Sequence, residues 1–139
     1  MRSPARLALG FAVATAGAGA IAFAAAPYAA AAPMVCPALP GQTASSESCS
    51  ASASNTGLSL AITADGGHAS STATNYAGPA AIAIGPNASV TMTGVRPGLA
   101  IGIAGPGASV TVDGVHGPTC TGTGMAFAGD FQTLQGCWR

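Results

Sequence analysis

The sequence predicts an all-β fold, a short β-solenoid of coils about 20 residues long with a disulfide closing each end. Three observations lead there. Four segments align without gaps, "CSASASN" from Cys49, "ASSTATN" from Ala69, "ASVTMTG" from Ala88 and "ASVTVDG" from Ala108, with starts 20, 19 and 20 residues apart. Between them runs a second family of alternating apolar residues, and Gly and Pro punctuate the corners. All four cysteines lie toward the two ends of this repeat region, Cys36 and Cys49 at one, Cys120 and Cys137 at the other.

Residues 1–31 read as a signal peptide. Arg2 and Arg6 precede an uncharged apolar run, Leu7 to Ala26, and the alanines at 29–32 offer several A-x-A frames. Cleavage is expected after Ala30 or Ala31. Twenty apolar residues can also span a bilayer as an uncleaved anchor, but here Ala and Gly dominate and Leu is scarce. Contact with a membrane is therefore expected only through this segment, and the mature chain is expected to be secreted or held in the cell envelope.

The part beyond Ala31 opens with an N-terminal cap, 32–48. Over the whole mature part Arg96 and Arg139 stand against Glu47, Asp65, Asp113 and Asp130, and Lys is absent. Such a chain has no electrostatic footprint for a phosphate backbone, so nucleic acid is excluded as a partner. An even number of cysteines in an exported chain points to disulfides. Of the three possible pairings, the local one, Cys36 with Cys49 and Cys120 with Cys137, closes one loop at each end. Zinc does not fit, because there is no C-x-x-C and only two His are present. No metal or other cofactor is expected.

The β-repeat region, 49–118, follows from period-two alternation. In the aligned segments one side is small or apolar, as in Ala88, Val90 and Met92, and the other is hydroxyl-rich, as in Ser70, Thr72 and Thr74 or Ser89, Thr91 and Thr93. In the second family Leu58, Leu60 and Ile62, then Ala80, Ile82 and Ile84, then Leu99, Ile101 and Ile103 alternate in the same way, so here too one face is apolar. Corners fall at "DGGH", "GPN" and "GPG" on one side and at "NYAGP", "GVRPG" and "GVHGP" on the other. Two short strands and two corners make one coil. The alternative is an antiparallel β meander or sandwich with three-residue hairpin loops. Recurrence of like residues at matching positions favours the stack, where successive coils sit in register. The last stretch, 119–139, breaks the repeat, holds Phe127, Phe131 and Trp138, and reads as a disulfide-closed C-terminal cap.

No catalytic constellation emerges. His68 and His116 each follow an aspartate by three residues and occupy corner slots. "GIAGPG" has dinucleotide-like glycine spacing, but Pro106 interrupts it and a strand follows. What remains is the hydroxyl ladder. Stacked as the alignment suggests, Thr72, Thr91 and Thr111 form one row about 4.8 Å apart, with Ser54, Thr74, Thr93 and Asp113 in a second row roughly 7 Å away. This T-x-T lattice resembles the flat face of ice-binding β-solenoids, and "AIAIG" at Ala81 to Gly85 resembles the head repeats of trimeric adhesins. The Ala- and Gly-rich leader, the four cysteines and the "GCW" ending resemble the small exported proteins of high-GC actinobacteria, which implies an envelope or secreted location.

The expected function is therefore a non-enzymatic structural or interaction role at the cell envelope, with an envelope polysaccharide or protein as the partner class. The alternative is recognition of ice or polysaccharide through Thr72, Thr74, Thr91, Thr93 and Thr111.

Overall fold

Alternation at every second residue builds strands along the whole described chain, which in this computed structural model comprises 32–139 and two short strands before them, Ala12–Val13 (β1) and Ile21–Ala22 (β2), paired antiparallel. The rest of the expected signal segment lies outside the described residues. Beyond it come β3 (Met34–Ala38), β4 (Thr43–Ser45), β5 (Cys49–Ala53), β6 (Ser59–Ala64), β7 (His68–Ala73), β8 (Ala77–Ile84) and β9 (Ser89–Gly94). The chain continues through β10 (Gly98–Ala104), β11 (Ala108–Val112), β12 (Thr119–Gly122), β13 (Ala126–Asp130) and β14 (Gln135–Trp138). Every regular element among the described residues is a strand.

From β5 to β11 the chain alternates between two six-stranded sheets, ordered β14-β13-β10-β8-β6-β3 and β12-β11-β9-β7-β5-β4. The middle of each is parallel, β6, β8 and β10 in one and β5, β7, β9 and β11 in the other, as a β-solenoid of about three turns requires. The antiparallel-meander alternative is confined to the ends. There β3 and β4 cover one end of the stack and β12, β13 and β14 the other, all by antiparallel pairing. Unpaired strand edges invite association with other chains, so the reversed strands move the edges away from the repeats. The disulfides are local, as the sequence suggests: Cys36–Cys49 and Cys120–Cys137. Each joins a strand of one sheet to a strand of the other, so both ends of the stack are stapled across the core.

Corners are made by residues that tolerate a left-handed backbone. Asp65 (φ 52°) and Gly66 (φ 89°) turn the first coil, and Asn87 (φ 61°) takes the same role a coil later. The second corner is longer. Between the paired residues Ala64↔Ile84 and His68↔Ser89, one coil has Asp65–Gly67 and the next has Gly85–Ala88, one residue more. The stacking step is therefore 21 residues from His68↔Ser89 through Ala83↔Ala104, and returns to 20 at Ser89↔Ser109. The gap-free sequence alignment puts Ala69 beside Ala88, whereas the structure pairs Ala69 with Val90. That is a slip of two residues, which changes every neighbour but leaves each side chain on its own face.

The core between the sheets is thin. The second sheet turns Ala88, Val90, Met92, Val110 and Val112 inward, while the first contributes Ala61, Ala81, Ala83, Ala100 and Ala104, all buried. Size is matched across the gap: a Cβ on Gly102 would meet Met92 Sδ at 2.7 Å, Val90 Cγ1 at 3.0 Å and Val110 Cγ1 at 3.1 Å. The buried hydroxyls are satisfied internally. Ser59 donates to Ser71 at 2.7 Å, and Ser71 donates to the Pro79 carbonyl at 3.1 Å. At the C-terminal cap the buried Asp130 carboxylate accepts from Gln132 N (2.9 Å), Gln132 Nε2 (3.1 Å) and Thr133 Oγ1 (3.0 Å). Gln132 Oε1 in turn accepts from Val95 N and Arg96 N, both at 2.9 Å, clasping the cap to the last full corner.

With the interior filled by small residues, the larger aliphatic residues of the first sheet face outward. Leu58 and Leu99 are 52% and 67% exposed, while Ser59, Ala61 and Ala100 beside them are at most 2%. The apolar face seen in the sequence at Leu58 to Ile103 is thus the outer face.

Candidate functional site, two opposed sheet faces

Because successive coils stack in register, each outer face is a grid of rows. On the second sheet the central row runs Ser45, Ser50, Ser70, Thr91, Thr111, Thr119, a hydroxyl on every one of six strands. One flanking row is Thr43, Ser52, Thr72, Thr93, and the other is His68, Ser89, Ser109, Thr121. Rows of this kind are spaced about 4.8 Å between strands and roughly 7 Å along them. Most of these hydroxyls are exposed or half-buried. Ser50 donates to Ser70 at 3.3 Å and Thr43 lies 3.4 Å from Ser52, so ladder hydroxyls engage each other only at the N-terminal end.

The sequence-predicted ladder is corrected in its rows. Thr91 does stand opposite Thr111, but its other neighbour is Ser70, and Thr72 stands opposite Thr93 instead of Thr91. The longer corner at Gly85–Ala88 causes this. Thr74 lies past the end of its strand and donates to the Gly94 carbonyl at 3.1 Å, which occupies its proton within the fold. Of the five threonines, then, Thr72, Thr91, Thr93 and Thr111 share the flat face.

The two histidines are separated. His68 opens β7 and His116 follows the far end of the parallel strand β11, so about one strand length, ~17 Å, lies between their edges of the sheet. His68 borders a shallow open depression with Glu47, Ser50, Ser70, Ser89 and Thr91. His116 is 81% exposed and its Nδ1 lies 2.8 Å from Asp113 Oδ2. Asp113 Oδ1 accepts from Val115 N at 2.8 Å and His116 N at 2.7 Å. These bonds, led by the His116 backbone and side chain, hold the Asp113 carboxyl down at about 2. The pair closes a corner after β11 in the manner of an Asx turn.

The opposite face is one the sequence shows without revealing its orientation. Its central row is Val35, Ile62, Ile82, Ile103, Phe127, Trp138, again one residue from each of six strands. Beside it run Pro37, Leu60, Ala80, Ile101, Gly129 and Gly136. Leu99 covers Gly78, where an added Cβ would meet Leu99 Cδ2 at 2.7 Å. Apart from the Trp138 indole, no outward side chain of these six strands carries nitrogen or oxygen. The signal in the sequence was the other half of the alternation: Ser59, Ala61 and Thr63, or Ala100, Gly102 and Ala104, suit a thin interior better than Leu and Ile do.

Both disulfides and the full pairing of four cysteines mark an oxidising, extracytoplasmic setting. No protein-family model, curated protein or solved structure matches the chain.

Proposed function

We propose that the protein is an exported, non-enzymatic interaction module of the cell envelope, working through its flat faces. The observation that carries this reading is the pair of six-strand faces of opposite chemistry, hydroxyl on one side and aliphatic on the other, on one frame stapled at both ends. Two staples and antiparallel end strands suit a module that keeps its shape outside the cell. The histidines support no joint acid–base site, because they lie at opposite strand ends and His116 is engaged with Asp113. Fractionation of the producing cell tests the reading: a chain beginning near Ala31 is expected in the envelope or the medium, and a full-length chain in the inner membrane contradicts it.

A second reading is favoured by one specific feature, the unbroken row from Ser45 to Thr119. A row of hydroxyls at regular spacing can match a ligand that repeats, ice or an extended polysaccharide. Thr91→Tyr and Thr72→Tyr place bulk on this face while leaving the inward Val90, Met92 and Ser71 untouched. Ice shaping or retention on insoluble cell-wall glycan should be lost in these variants and kept in His68→Ala and His116→Ala. Wild-type protein that does neither leaves the hydroxyl rows as the wet side of a sheet.

A further inference from the structure

We propose that the aliphatic face is a homodimer interface, on which a second copy packs sheet against sheet. The face offers no charge and, the Trp138 indole aside, no hydrogen-bonding side chain, so what it recognises must be apolar and equally flat. A single copy leaves Leu99 67%, Phe127 48% and Trp138 87% exposed along it. The largest apolar patch on a soluble monomer is typically ~300–600 Å² and often marks a binding surface. The six strands lie about 4.8 Å apart and carry from two outward positions, in β3, β13 and β14, to four, in β8, which gives a footprint on the order of 500 Å² per copy. Two copies then remove about 1,000 Å² from water, the size at which specific protein interfaces begin to separate from incidental contacts.

The face is also complementary to itself. Along its central row the bulk sits at one end, Phe127 and Trp138, and the smaller Val35 sits at the other. A twofold axis lying parallel to the strands between β8 and β10 brings the β14 end of one copy over the β3 end of its mate, large against small. Sheets packed in this aligned manner sit about 10 Å apart with interdigitating side chains, which Ile82 and Ile103 at the centre are placed to provide. The dimer points its two hydroxyl faces outward in opposite directions. This inference does not depend on what, if anything, those faces bind.

Sedimentation of the purified, disulfide-bonded protein over ~1–200 µM should show a dimer. Ile82→Lys and Ile103→Lys put a charge at the centre of the interface and should weaken self-association on the order of a hundredfold or more. Thr91→Lys, on the opposite face, should leave it unchanged. Far-UV circular dichroism and non-reducing peptide maps identify folded variants; should the central substitutions prevent folding, Leu99→Lys at the more exposed margin takes their place. The proposal is overturned if wild-type protein is monomeric throughout, if the lysine variants on the aliphatic face stay dimeric, or if Thr91→Lys dissociates the dimer. Monomers bound to phosphatidylglycerol vesicles, with no dimer in solution, would also overturn it, because lipid would then be the occupant.

Discussion

Met92 is the largest fully buried side chain among the described residues, and the space it fills exists because Gly102 on the facing sheet has no side chain. Met92→Ala removes three heavy atoms from a core with little ability to collapse, and should cost about 2–4 kcal/mol in transfer and cavity terms. Gly102→Ala places a methyl carbon 2.7 Å from Met92 Sδ and about 3 Å from two valine methyl groups, and should cost ~1–3 kcal/mol by overpacking. The double variant should be more stable than the sum of the two losses predicts, by about 1–2 kcal/mol, since the new methyl enters the vacated space. Urea unfolding with disulfides intact measures this. Far-UV circular dichroism is the better probe, because Trp138 at 87% exposure reports folding weakly. Losses that add within about 0.5 kcal/mol would refute the argument that these two residues share one gap.

Three further outcomes follow from the caps and corners. Replacing Cys36 and Cys49 by Ser opens a 13-residue link between two buried positions and should lower stability by about 3 kcal/mol, read by urea unfolding, with the Cys120–Cys137 bridge still present in peptide maps. Gln132→Ala leaves the amides of Val95 and Arg96 without their acceptor and should cost ~0.5–1.5 kcal/mol, with faster hydrogen exchange at those two amides than at β7. The Asp113 carboxyl is held at about 2 against an ordinary value of 3.8, so its stabilisation of the corner is present above about pH 4 and is lost as the pH falls toward 2. Asp113→Asn should flatten the acid-side slope of the unfolding curve over that window.

Legibility divided along physical lines. Strand identity, the two-sheet coil and the local disulfides were readable, because period-two alternation, Gly/Pro corners and cysteine placement are local properties. Register was misread between β7 and β9, since a gap-free alignment cannot know that Gly85–Ala88 spends one more residue on its corner than Asp65–Gly67. The error kept every face intact because it amounted to two residues. Orientation of the first sheet is not legible in the alternation alone. Hydropathy alone places Ile62, Ile82 and Ile103 inside, yet a Cβ at Gly102 already meets Met92 and Val90, so an interior this narrow takes Ala and Gly and turns the isoleucines out. The hydroxyl residues were identified on the correct face, while Thr74 was lost to a backbone carbonyl that only the corner geometry provides.

The orientation of that first sheet can be measured at two adjacent residues of β8. Ala81 is fully buried and Ile82 points outward, so in urea unfolding of dilute protein Ala81→Leu should destabilise by about 2–3 kcal/mol or prevent folding, while Ile82→Ala should cost under ~1 kcal/mol. The reverse order, a tolerated Leu at 81 and a cavity-sized loss of ~2–4 kcal/mol at 82, would contradict the account, because it would put the isoleucine row inside and leave no aliphatic face.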